Sequence, residues 1–112
     1  MAEYLLLIVG DDDAYGQLSE EEGKAIYAEH DAFMDGLRNA GVAIVSSAEL
    51  EHPRTARTIL SDGTVTDGPF AEAKEQVGGY YLIDVPSIEE AVEWAKKIPL
   101  LPSDKLEVRK AK

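Results

Sequence analysis

The sequence contains no cysteine, has little positive charge and has no apolar run long enough to cross a membrane. Without cysteine there is no disulfide framework, no thiolate metal site and no cysteine nucleophile. Lysine and arginine number 11 against 22 acidic residues, a net charge of −11. Nucleic acids and anionic membranes attract basic clusters, so we expect neither as a partner. The lack of cysteine fits a reducing cytoplasm, where we expect the protein to reside.

The chain suits one compact domain over residues 1–112. Hydrophobic residues make up 45% of it, a globular rather than a disordered composition. Its glycines do not form a nucleotide-binding fingerprint, and the three aspartates at 11–13 lack the further oxygen ligands and the glycine of a calcium loop. We therefore predict no cofactor and no metal.

Strand and helix patterns alternate along the chain. Ser19 and Glu22 form a capping box that predicts the start of a helix, and Asp62-Gly63 is a strong hairpin signal. Residues 71–76 have the composition of one or two helical turns, and the glycine pair at 78–79 predicts a break before the next strand. The patterns predict strands at 4–9, 42–50, 80–85 and 105–109, helices at 19–40 and 88–99, and a hairpin between 55 and 66.

This order predicts an α+β fold, a ferredoxin-like βαββαβ arrangement with an extra hairpin and both helices on one face of an antiparallel sheet. Yet the first strand is apolar on both faces, with Leu5, Leu7 and Val9 opposite the side that the helices cover. A second copy packed sheet on sheet would cover that face, giving a homodimeric α+β barrel. The alternative is a cover made of loops and the carboxy-terminal tail.

His30 lies on the apolar stripe of the first long helix, because it follows Ile26 by four residues and precedes Phe33 by three. A titratable side chain therefore points toward the sheet. It is either a structural histidine held by hydrogen bonds or a general base whose pKa is set by burial and a nearby carboxylate. His52, beside Pro53 in a polar loop, is expected to be exposed.

Asp67 stands before a Gly-Pro turn, where its carboxylate either accepts backbone N–H groups or orients His30 or a substrate. Phe70 is then a wall of the pocket or a hydrophobic anchor of the loop. Lys74 either binds an anion or is simply solvated.

The run Val65-Thr66-Asp67-Gly68-Pro69-Phe70-Ala71-Glu72-Ala73-Lys74-Glu75-Gln76-Val77-Gly78-Gly79-Tyr80-Tyr81-Leu82-Ile83 resembles the signature of the YCII-related, or DGPF-domain, family of small bacterial proteins. Further similarity lies at His30-Asp31-Ala32-Phe33 and at Glu90-Ala91-Val92-Glu93-Trp94-Ala95, so that it covers nearly the whole chain. Ala73 departs from the family pattern, which usually has threonine there.

The resemblance implies a dimeric α+β barrel with a His–Asp pair in a cleft, here His30 and Asp67. It implies cofactor-independent acid/base chemistry, of the lyase or isomerase type, on a small carbonyl or aromatic molecule contacted by Gly68, Pro69, Phe70 and Lys74. The alternative that it implies is a non-catalytic ligand-binding or accessory protein associated with a sigma factor.

Overall fold

The computed structural model describes residues 2–112. Its elements are β1 (Ala2–Asp11), α1 (Asp12–Gly16), α2 (Glu20–Asn39), β2 (Ala43–Glu49), a 3-10 turn (Pro53–Thr55), β3 (Arg57–Ile59), β4 (Val65–Asp67), β5 (Glu75–Val85), α3 (Ile88–Ala95) and β6 (Lys105–Lys110).

Four strands form an antiparallel sheet in the order β2-β5-β1-β6. The side chains of α2 and α3 pack with one face of β1 and β5, which confirms the predicted α+β, ferredoxin-like fold. The core combines alternate residues of the two central strands with the apolar stripes of the helices, because side chains repeat every second residue in a strand and every third or fourth in a helix. Its largest fully buried side chains are Leu6, Leu37, Ile83 and Val85.

The long helix α2 begins where the sequence predicts. Ser19 Oγ accepts a hydrogen bond from Glu22 N at 3.1 Å, and Glu22 Oε1 accepts from Ser19 N at 3.0 Å, which completes the capping box. The chain leaves the helix through Gly41, whose φ of 77° is the left-handed conformation that glycine adopts without steric cost.

The prediction of helical turns at 71–76 is wrong, and so is the break at the glycine pair 78–79, because β5 already begins at Glu75. Gln76 donates to the carbonyl oxygens of Ala71 and Ala73, both at 2.8 Å, and these bonds stabilise a non-helical loop. Gly78 is the extra residue of a bulge between the β1 pairs Ile8–Gly79 and Val9–Val77. The composition of residues 71–76 favours a helix, but the pairing of β5 with β1 makes the chain extended from Glu75 onward.

Residues 50–74 form an arm that stands apart from the main sheet. Its strands β3 and β4 pair with each other as a two-stranded sheet, from Arg57 opposite Asp67 to Ile59 opposite Val65. The hairpin predicted around Asp62-Gly63 is thus present, and Gly63 takes a φ of 92°. The arm exposes apolar side chains, with Ile59 72% and Phe70 83% accessible.

The sheet face opposite the helices, which we call the open face, has an apolar centre. Leu5 lies opposite Leu82 and Leu7 opposite Tyr80, all only partly buried. Polar partners on β6 border them, Arg109 beside Leu5 and Glu107 beside Leu7. The described chain thus has helices on one face of its sheet and a half-exposed apolar surface on the other.

Near its end, β1 passes directly under the carboxylate of Asp104, a residue that is 9% exposed. A β-carbon at Gly10 would overlap Asp104 Oδ1. That carboxylate cannot turn away freely, because its Oδ2 accepts hydrogen bonds from the Tyr15 hydroxyl and, at 3.0 Å, from Leu101 N. Glycine at position 10 is therefore required by the close approach of a buried acid.

We expect Gly10→Ala to lower the free energy of unfolding by about 1–3 kcal/mol, since an overpacked site must displace either the strand or the carboxylate. Urea denaturation followed by circular dichroism measures the change. Gly16→Ala is the matched control, because a β-carbon there meets nothing within 4 Å. Equal stability of the two variants would contradict the assignment of Gly10 as a packing position.

Candidate functional site

A cavity of about 790 Å³ lies between α2, the end of β2, the start of β5, and helix α1. This volume is in the range of small-molecule sites. Apolar contacts come from Ile8, Ile26 and Met34, and tyrosine hydroxyls come from Tyr15, Tyr27 and Tyr81. The cavity thus has the mixture of apolar wall and polar groups that a small organic molecule requires.

His30 lies in the wall of this cavity, as its place on the apolar stripe of α2 predicts. Its Nδ1 is 2.6 Å from the Tyr81 hydroxyl, a hydrogen bond between helix and sheet. The two rings stack with centroids 5.9 Å apart, and Phe33 meets the Tyr81 ring edge-on at 5.0 Å. Tyr81 is 6% exposed, so the group that orients the imidazole is itself held in the core.

Burial lowers the pKa of His30 below its ordinary value of 6.5, because desolvation disfavours the imidazolium. The negative charges of Glu49, Glu29 and Asp31 oppose this shift without cancelling it. Burial also raises the pKa of the Tyr81 hydroxyl to about 12, and Asp31 adds to the rise. At neutral pH both members of the pair are therefore uncharged, and the imidazole has one nitrogen able to take a proton.

His52 lines the same cavity, but both of its ring nitrogens are already engaged. Nδ1 accepts a hydrogen bond from Arg54 N at 3.1 Å, which requires the proton of the neutral ring to lie on Nε2. Nε2 lies 2.8 Å from Asp13 Oδ1, to which it donates. The expectation of an exposed side chain is therefore corrected: 28% of it is accessible, and it caps the 3-10 turn.

The residues of the predicted Asp-Gly-Pro-Phe site lie on the arm, and none of them lines the cavity. Asp67, with a side chain 91% exposed, pairs with Arg57 Nε at 3.2 Å. Gly68 has a φ of 87° and donates through its N–H to Ala56 O, so it shapes the turn, while Phe70 and Lys74 are exposed and Pro69 is partly buried.

Within one chain, then, the hydrogen-bond partner of His30 is Tyr81. The contribution of Asp67, Gly68, Pro69, Phe70 and Lys74 to a site stays a prediction. Sequence reasoning missed Tyr81 because it assigned the strand at 80–85 a purely structural role. The available signal was a tyrosine on the helix-facing side of a central strand, since a buried tyrosine hydroxyl needs a hydrogen-bond partner.

No group of three or more histidine, aspartate or glutamate side chains in residues 2–112 is placed to hold a metal ion. The polar groups in the cavity around His30 include carboxylates, tyrosine hydroxyls and imidazoles. Such groups transfer protons and donate or accept hydrogen bonds.

Comparison with known proteins shows the family of the chain. The sequence model of the YCII-related domain matches residues 2–112, and the chain belongs to that family. An uncharacterized protein from Rhizobium meliloti (strain 1021) is 33% identical over 103 residues, which covers 85% of this chain and 78% of the relative. Over residues 2–112, no helix has the length and apolar character needed to span a membrane.

We expect His30 to titrate below pH 6.5 in the folded protein, because burial lowers its pKa. Two-dimensional ¹H–¹⁵N spectra of the imidazole nitrogens measure this directly, with the signal assigned by its loss in His30→Gln. The linked effect on folding has a defined sign: the unfolded chain binds the proton first, so stability falls as pH decreases from about 6.5 toward the folded pKa. A midpoint at or above 6.5 would contradict the burial of a neutral imidazole.

Proposed function

We propose that the cavity binds a small carbonyl-containing or aromatic molecule and that His30 moves a proton on it. The observation that carries this proposal is the half-buried, uncharged imidazole hydrogen-bonded to Tyr81 in the wall of a 790 Å³ cavity. A base with a pKa near or below neutrality is unprotonated when the substrate arrives, which general base catalysis requires.

The tautomer defines the role of each nitrogen. When Nδ1–H donates to the Tyr81 oxygen, the lone pair is on Nε2, and Nε2 acts as the base. When the Tyr81 hydroxyl instead donates to Nδ1, Nε2 carries the proton and donates a hydrogen bond to the substrate. After Nε2 takes a proton, the imidazolium is stabilised by Glu49, Glu29 and Asp31, the charges that already act on His30. One residue pair thus supports both halves of a proton transfer.

A direct test is exchange of the hydrogens next to a carbonyl. We expect the protein to accelerate deuterium incorporation into small aryl ketones in D₂O, because the base removes a carbon-bound proton and returns a deuteron. One-dimensional NMR measures the rate. A positioned general base contributes about 10²–10⁴-fold, so His30→Gln should lose an acceleration of that order.

Two variants complete this experiment. Glu72→Gln, on the exposed arm and outside the cavity, is the control and should exchange like the parent chain. Asp67→Asn distinguishes the two proposed partners of the histidine. An unchanged exchange rate would leave Tyr81 as the residue that positions His30. A loss of exchange equal to that of His30→Gln would show that Asp67 takes part in the proton transfer. Retention of exchange by His30→Gln would contradict the proposed base.

The second candidate function is a non-catalytic ligand-binding or accessory protein, including one that associates with a sigma factor. Its support is the arm, which exposes Ile59, Val65 and Phe70 to solvent. An arm of this kind offers an apolar contact surface to another protein. Binding of the ketones without exchange would favour this candidate over the enzyme.

We also propose that the protein is a homodimer through the open face. The accessible surface is 7545 Å², whereas a compact monomer of 12.2 kDa has about 6,100 Å². The difference exceeds the roughly 800 Å² per partner of a standard interface. The radius of gyration, 15.4 Å, is likewise larger than the roughly 13 Å of a compact domain of this length.

Sedimentation equilibrium should report about twice 12.2 kDa for the parent chain. We expect Leu7→Glu to shift this mass to that of a monomer, because it places a carboxylate on the open face beside Glu107. Ile88→Glu is the control, because it places the same charge on an exposed apolar residue at the start of α3, and it should leave the dimer intact. A parent chain that stays monomeric at micromolar concentration would overturn the dimer.

A further inference from the structure

The cavity around His30 has a strong and one-sided charge. Arg54 is the only lysine or arginine among its lining residues, all of which lie in the described part of the chain. The lining carboxylates, by contrast, are six, Asp12, Asp13, Asp31, Glu49, Glu51 and Asp104. A cleft lined by one sign of charge concentrates the field inside it and favours ligands of the opposite sign.

None of these carboxylates pairs with a lysine or arginine in residues 2–112. Glu49 accepts a hydrogen bond from the Tyr27 hydroxyl at 2.8 Å, and Asp13 Oδ1 lies 2.8 Å from His52 Nε2. Elsewhere in residues 2–112, some acids pair with lysine or arginine, as Glu75 does with Lys105 at 3.2 Å, and others do not. The carboxylates of the cavity thus carry negative charge that no lysine or arginine of the described chain neutralises through an ion pair.

Asp104 adds a second, independent observation. It lines the cavity beside Gly10 and is only 9% exposed, yet its Oδ1 has no hydrogen-bond partner. A buried carboxylate oxygen without a donor is costly, because it has lost its water. Its Oδ2 accepts hydrogen bonds from the Tyr15 hydroxyl and from Leu101 N, so Oδ1 is the carboxylate oxygen that lacks a donor.

The tyrosines of the cavity fit the same kind of ligand. Aromatic faces attract cations through the negative charge above the ring, and hydroxyls add hydrogen-bond acceptors for an N–H group. Carboxylates together with tyrosine rings are the surroundings that an organic ammonium group requires. They repel a carboxylate or phosphate.

We propose that the ligand of this cavity is a small aromatic or carbonyl compound bearing a cationic amine, and that anionic analogues are rejected. This rests on the proposed function, since it concerns the same cavity, and it narrows the substrate class. A bound ammonium group would also disfavour a positive charge on the neighbouring imidazole, which keeps His30 in the unprotonated form that a base needs.

The test uses three probes of similar size and different charge: tyramine, 4-hydroxyphenylacetamide and 4-hydroxyphenylacetate. We expect titration calorimetry at low salt to give tyramine a Kd about tenfold or more below that of 4-hydroxyphenylacetate, with the amide between them. Asp31→Asn should reduce this preference several-fold. Glu89→Gln removes one charge on α3, outside the cavity, and should leave the preference unchanged.

Equal or tighter binding of 4-hydroxyphenylacetate would overturn the proposal, as would the absence of tyramine binding at millimolar concentration. A loss of preference in Glu89→Gln equal to that in Asp31→Asn would also overturn it, because the preference would then come from the net charge of the whole chain. The proposed proton transfer fails separately, through the ketone exchange rates of the parent chain and His30→Gln.

Discussion

The contact between Tyr81 and His30 links the core of this protein to its cavity. The Tyr81 ring is buried on the helix-facing side of β5, and Phe33 from α2 packs against its edge. Its hydroxyl leaves that core and bonds to the imidazole. Because the tyrosine is fixed by packing, the histidine is oriented by the same forces that hold helix and sheet together.

The burial of His30 against Tyr81 also determines the charge of the imidazole in the cavity. Burial keeps the His30 imidazole neutral. Several carboxylates surround it and oppose this effect of burial on its pKa, but they do not cancel it. Desolvation therefore decides the resting charge state, and the carboxylates become important when the imidazole gains a proton. In the function that we propose, this neutral base removes a proton from a neutral or cationic molecule, since an anion would meet the carboxylates first.

One geometric fact explains why one face of the sheet is covered by helices and the other is not. The two amphipathic helices α2 and α3 can shield one face of a four-stranded sheet, and the central strands β1 and β5 are apolar on both faces. The arm, residues 50–74, extends from the end of β2 and returns at β5 without adding a strand to the main sheet. Both the open face and the arm thus present apolar groups outward, and a second copy of the chain is the cover that we propose.

The amino-acid sequence determined the local structure and, through it, the fold. The capping box at Ser19 started α2, the period of Ile26, His30 and Phe33 oriented the histidine toward the sheet, and Asp62-Gly63 closed the hairpin, because each depends on neighbouring residues alone. Only the tertiary structure decided which groups meet. Tyr81 reaches His30 across 51 positions of sequence, Asp104 meets Tyr15 across 89, and strand pairing with β1 made residues 75–79 extended despite their composition. Such contacts follow from packing and pairing between distant segments, which no local pattern encodes.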